Sequence, residues 1–203
     1  MSFIEFQNTF RGFPIISISD IEKSYPNFDN RRLVEWQHKG YLIKIKNGYY
    51  IFANHEKSES FLFLLANKIY KPAYVSLESA LWYYGLIPEG VFAVTSITTN
   101  NTATYNNKLG RFIYRHLKPQ LFFGYSLIQH NGYSISIADP EKALLDFLYL
   151  NKVNDNDSIR ELRINYLQIH EAIDYSKLEK YLSLFKSKVL NTRVALFKKN
   201  HNA

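Results

Sequence analysis

Between Asn30 and Phe52 the sequence NRRLVEWQHKGYLIKIKNGYYIF changes its period once, and that change constrains the fold more than any other feature. Leu33 and Trp36 recur at helical spacing, and from Tyr41 onward apolar and basic residues alternate with the period of two of a strand. Gly40 stands at the switch, where a left-handed residue favours the end of a helix. Asn47-Gly48 interrupts the alternation with a strong short-range hairpin signal. The stretch predicts a helix over 29–39 followed directly by a two-stranded hairpin.

Upstream, Phe3, Ile4 and Phe6 predict a short helix over 2–10, closed by Arg11-Gly12-Phe13-Pro14, because proline has no N–H to give and glycine is costly in a helix interior. Ile15 to Ile18 reads as extended. Ser19, with Glu22 three positions on, has the pattern of a capping box for a helix over 20–25 that Pro26 must stop. Asn27 to Asn30 then form a turn and cap. Helix, helix, turn, helix and hairpin is the order of a winged helix-turn-helix. On the third helix Leu33, Trp36 and Gln37 fall on the core side, while Arg31, Glu35, His38 and Lys39 lie opposite. Such a face suits a major groove, with Arg31 set for a guanine edge and Arg32 and Lys39 for flanking phosphates. The expected DNA-binding set is Asn30, Arg31, Arg32, His38 and Lys39 on the helix, with Lys44, Lys46 and Asn47 on the hairpin, beside the Gly48 tip. Glu35 is spaced to pair with Arg31 four residues earlier and hold it away from DNA. A winged helix can also be a protein-binding scaffold, and that alternative stays open.

Charge supports an anionic partner, and its placement matters more than its total of +7. Residues 1–57 hold 8 Lys/Arg against 6 Asp/Glu, residues 58–176 hold 10 against 11, and residues 177–203 hold 7 against 1. The middle is neutral and the ends are basic. The chain has 203 residues, enough for a substantial core, and no cysteine, which excludes disulfides, thiolate metal sites and cysteine nucleophiles. The first ten residues show no basic leader followed by an apolar run, and no apolar stretch approaches the ~20 residues of a membrane span. These features predict a cytoplasmic protein that does not enter a membrane.

After Ala53 a polar junction over 54–60 separates a first domain, 1–57, from a second, 58–203. Helices are expected over 61–70 and 75–84, extended segments over 91–98, 110–128 and 133–137, and a loop or hairpin arm over 100–107. Asp139-Pro140-Glu141 opens a helix to Leu150, with Asp139 as cap, proline in the first turn and Glu141 complementing the dipole. Four further helices are expected, over 158–162, 166–172, 176–187 and 188–199, and residues 176–199 form a basic amphipathic tail. Its Lys177, Lys180, Lys188, Arg193, Lys198 and Lys199 are candidate contacts to DNA or to a protein partner, or else a solvated face of a packed tail. The fold class expected is α+β: a winged helix-turn-helix, then an α+β domain with a small antiparallel sheet and a helical tail.

No catalytic arrangement is found. Glu141 and Lys142 are adjacent, which spoils a metal-nuclease pattern. His170-Glu171 lacks a second histidine four residues on, and no phosphate-binding glycine loop or nucleophile elbow occurs. The six histidines are scattered. No enzyme activity, metal or cofactor is expected.

Four segments carry a family resemblance: LVEWQHKGYLIKIKNGYYIF, YVSLESALWYYGLIPE, GRFIYRHLKPQLFFGY and IADPEKALLDFLYL. Over most of residues 13–150, and in this order, the chain resembles the AbiEi antitoxins of type IV toxin-antitoxin and abortive-infection systems. The resemblance implies a bacterial transcriptional regulator that represses its own operon through its N-terminal domain. It further implies neutralisation of a cognate nucleotidyltransferase-type toxin through the C-terminal domain, which in some members also contributes to operator binding. The recognition helix and wing of the family correspond to residues 30–39 and 44–48. Dimeric or cooperative binding to double-stranded operator DNA would accompany repression. The short first helix, and the presence of only two arginines near the start of the third, depart from the commoner family pattern. A regulator without a toxin, or a winged-helix interaction module, is the alternative reading.

Overall fold

The computed structural model describes residues 1–55, 57–88 and 93–201. The first elements are α1 (Phe3–Phe10), β1 (Ile16–Ser17), α2 (Ile18–Ser24), α3 (Arg31–His38), β2 (Leu42–Lys46) and β3 (Tyr49–Phe52). Ser2 and Glu5 close a reciprocal capping box at the start of α1. A second box starts α2, but it is built from Ser17 and Asp20, two residues before the expected Ser19 and Glu22. The earlier pair wins because β1 ends at Ser17, so that residue already has the extended backbone a cap requires. Gly40 ends the third helix at φ +73. The three strands form an antiparallel sheet in the order β1-β3-β2. Phe6, Phe10, Ile16, Ile21, Leu33, Trp36, Leu42, Tyr50 and Phe52 make one buried cluster between this sheet and the helices.

The second unit runs through α4 (Glu59–Ile69), β4 (Ala73–Val75), α5 (Leu77–Tyr83), β5 (Ala93–Thr98), β6 (Ala103–Asn107), β7 (Gly110–His116), β8 (Tyr125–His130) and β9 (Tyr133–Ala138). It ends in α6 (Pro140–Leu150), α7 (Asn156–Glu161), α8 (Tyr166–Ala172), α9 (Tyr175–Phe185) and α10 (Lys188–His201). The fold is α+β, but the sheet of the second unit is neither small nor purely antiparallel. It has six strands in the order β6-β7-β5-β4-β9-β8, with β5/β7 and β4/β9 parallel and the other pairs antiparallel. The expected single run over 110–128 breaks in two, because Pro119 starts a 3-10 turn through Leu121 and the chain re-enters the sheet at its far edge. The arm over 100–107 is strand β6, and the start of the preceding run at Val91 and Phe92 lies outside the described residues.

The junction between the units is packed rather than a simple linker. Ile15, Ile45 and Ile51 belong to the larger hydrophobic core of the second unit, although their neighbours Ile16, Leu42 and Phe52 face the smaller one. Alternation along β2 and β3 thus feeds both cores from one hairpin.

Candidate nucleic-acid interface

Helix α3 is held by one face. Leu33 and Trp36 are buried, and the rings of Phe3, Phe6 and Phe28 surround the Trp36 indole at centroid distances of 5.3, 4.8 and 5.9 Å. Gln37 is half-buried and donates back to the Leu33 carbonyl at 2.7 Å. The outward face presents Arg31, Val34, Glu35 and His38, with Lys39 at its end, all exposed. Val34 is 53% exposed in the middle of this polar face. Asn30 sits at the cap position with a helical backbone and no side-chain cap, and Asp29 takes over that task by accepting from the Arg31 N–H at 3.0 Å.

The cations on this face have carboxylate neighbours. Arg31 pairs with Asp29 at 3.0 Å with its own side chain 91% exposed. Glu35 pairs with Lys39 at 2.6 Å, not with Arg31, because Asp29 already engages that guanidinium. Each bond holds its carboxyl below the ordinary value: Arg31 lowers Asp29, and Lys39 lowers Glu35. Arg32 is half-buried, and its charge is felt by Glu5, Asp29 and Glu35. Lys44 is exposed and has no ion-pair partner among the described residues. Exposed pairs of this kind are weak and exchange readily for a phosphate, so the face remains competent for an anion.

The hairpin tip differs from the expected free wing. Lys46 is half-buried, donates to the Ile69 carbonyl of α4 at 2.7 Å and lies 4.4 Å from the centre of the Tyr49 ring. Ile45 accepts from the Asn107 amide at 3.2 Å, and Gly48 accepts from the Ile18 N–H at 2.9 Å. The register slips between Lys44 and Lys46, and Gly48 at φ +79 carries the turn. This bulge turns the Lys46 end toward the second unit, so Lys46 is spent on the junction while Asn47 stays exposed.

The tail divides in the same way. Lys177 bridges Asp139 and Glu141, at 3.1 Å to each. Arg193 donates to the Leu148 carbonyl at 2.8 Å and to Asn154, and Lys198 pairs with Glu179. Lys180, Lys188 and Lys199 are exposed and have no ion-pair partner among the described residues. Asp139 does not cap α6 with its side chain, since its carboxylate is taken by Ser126 at 2.6 Å and Tyr181 at 2.9 Å as well as by Lys177. Glu141 accepts from the Asp174 N–H at 2.9 Å. Lys142 is fully buried and pairs with Asp146, which also accepts from Tyr74 and Ser76. The Asp139 to Lys142 signature therefore ties α6 to α9 and to the sheet.

Sequence reasoning passed over Lys68 in α4 and Lys71 just after it, because that helix reads as plain core packing. Among the described residues no group of three or more acidic or histidine side chains is arranged to hold a metal ion. No described helix is long and apolar enough to cross a membrane. Compared with known proteins, the chain matches no family model and no curated protein.

Proposed function

We propose that this chain is a DNA-binding autorepressor without enzymatic activity and the antitoxin of a nucleotidyltransferase-type toxin, working in the cytoplasm. The observation that carries the DNA reading is α3: a helix anchored by Leu33 and Trp36 whose opposite face is exposed and carries Arg31, His38 and Lys39. In this reading the first unit is a winged helix-turn-helix. Arg31 and His38 address base edges, Val34 meets a thymine methyl, and Glu35 can accept from a cytosine amine. Arg32, Lys39 and Lys44 hold phosphates and set the register. The order of the four family-like segments supports the antitoxin role, and the unpaired Lys180, Lys188 and Lys199 supply a basic surface for the toxin or for flanking DNA.

Arg31→Ala together with Lys44→Ala is expected to weaken binding to the DNA upstream of the gene by about tenfold or more, from a base-edge and a phosphate contact worth ~1 kcal/mol or more each. Unchanged binding would remove this assignment. Co-expression with the toxin encoded beside the gene tests the second half: growth should be restored by the full chain, and failure of rescue would sink the antitoxin role alone.

A second reading has an observation in its favour. The docked hairpin and the compensated charges of α3 also suit a scaffold that binds protein. Binding to a partner protein that persists at high salt, with no preference among DNA sequences, would select it.

A further inference from the structure

A cleft of about 350 Å³ lies between the two units, lined by Gly12 to Ile15, Ser17, Asp20 and Tyr49 from the first and by Lys68, Lys71 and Tyr133 from the second. Lys68 is half-buried and Lys71 exposed, and neither ammonium group has a hydrogen-bond or ion-pair partner among the described residues. Three other cations that are buried or half-buried do have one: Lys46 has the Ile69 carbonyl, Lys142 has Asp146, and Lys177 has two carboxylates. Burial first, and the charge of Lys71 second, lower the proton affinity of both Lys46 and Lys68, and Lys68 and Lys71 both line the cleft. Asp20 is the carboxylate of the cleft and raises Lys68 slightly, but its Oδ2 is already held by the Ser17 N–H at 2.9 Å and the Ser17 hydroxyl at 2.6 Å. An anion would relieve this excess of positive charge.

The rest of the lining narrows the anion. Phe13 is 42% exposed, and Tyr49 and Tyr133 supply two further rings. Phosphate alone would leave this aromatic wall unused, whereas a base has a face to stack on it. The size falls at the small end of the ~300–1,000 Å³ of small-molecule sites. The Tyr133 hydroxyl donates to the Gly12 carbonyl across the junction, and these two residues also line a second hollow beyond them. That bond obstructs the course of a long strand from one hollow to the other. We propose that the cleft between the units binds a mononucleotide, its phosphates on Lys68 and Lys71 and its base against Phe13 and Tyr133. The inference does not depend on the DNA-binding reading, since none of these residues lies on the outward face of α3.

Calorimetric titration of the full chain with ATP, without divalent metal, tests it. Saturable binding at one site is expected, weakened roughly tenfold or more in Lys68→Gln/Lys71→Gln while Lys180→Gln/Lys188→Gln binds as wild type. Phe13→Ala should weaken ATP severalfold and leave inorganic tripolyphosphate unchanged. Melting curves that match wild type certify the variants as folded. The site is overturned if ATP does not saturate, if the Lys68/Lys71 variant binds equally well, or if the Lys180/Lys188 control falls just as far. Equal binding of tripolyphosphate and ATP would overturn the base subsite, and displacement of ATP by a much lower concentration of a single-stranded oligothymidylate would overturn the mononucleotide in favour of a strand.

Discussion

Replacing Lys142 by methionine keeps most of the side-chain volume, removes the charge together with the bond that Nζ donates to the Tyr74 hydroxyl at 2.8 Å, and leaves the Asp146 carboxylate fully buried without its cation. Breaking one side of a buried ion pair costs about 3–5 kcal/mol. The Tyr74 and Ser76 hydroxyls still donate to Asp146, at 3.0 and 2.9 Å, which places the expected loss near the lower end, about 3 kcal/mol. That is a large part of the ~5–15 kcal/mol that holds a domain together. The pair itself is not a source of net stability near neutral pH. Burial is the largest influence on both groups, pushing Asp146 up and Lys142 down against the attraction between them. A raised carboxyl contributes stability only while protonated and loses it as pH rises through its folded value. A lowered ammonium contributes only when neutral, at high pH, and loses it as pH falls through its folded value. Asp146→Asn added to Lys142→Met removes the stranded charge and keeps an acceptor for both hydroxyls, so the double variant should recover most of the loss. Urea unfolding followed by far-ultraviolet circular dichroism measures both. A single variant within about 1 kcal/mol of wild type, or a double variant less stable than the single, would refute the argument.

Other outcomes follow from the same geometry. Burial raises the Asp139 carboxyl, but bonds from Ser126, Lys177 and Tyr181 outweigh it and leave the group below its ordinary value. Its stabilisation is therefore present above the unfolded value of ~3.9 and lost as pH falls through the lower folded one. Urea midpoints of wild type and Asp139→Asn should differ at neutral pH and converge in acid. Trp36→Ala should cost about 3–5 kcal/mol and abolish DNA binding while the Trp82 fluorescence transition in the second unit persists. Glu35→Gln removes a negative charge from the face of α3 and keeps an amide oxygen that can accept from a cytosine amine, so operator affinity should rise severalfold with the salt slope unchanged in anisotropy titrations.

Much of the first unit was legible because its signals are local. The change of period at Gly40, the Asn47-Gly48 turn and the Leu33/Trp36 stripe each act within a few residues, and the elements follow them. Local signals also explain the misses. Ser17 with Asp20 and Ser19 with Glu22 satisfy the same capping pattern, and only the end of β1 decides between them. Asn131-Gly132, both at positive φ, turns β8 into β9 and is as strong a hairpin signal as Asn47-Gly48. Reading the run over 110–128 as one strand hid it. The parallel β4/β9 pair joins segments far apart in sequence, and the β5/β7 pair skips the intervening β6, so nothing local encodes which strands become neighbours. Site residues divide the same way. The outward face of α3 follows from helical periodicity, but whether a cation is free depends on what approaches from elsewhere: Ile69 for Lys46, Asp139 and Glu141 for Lys177, and Glu179 for Lys198.

The central claim is that an open, basic α3 reads operator DNA. Its most direct test is fluorescence anisotropy of the full chain on the DNA preceding its own gene and on a shuffled duplex, across a salt series. With Arg32, Lys39 and Lys44 on phosphates, the logarithm of the binding constant should fall against that of salt with a slope of about −2.7, and the native duplex should bind more tightly than the shuffled one. Equal affinity for the two duplexes, or a slope near zero, would contradict the account.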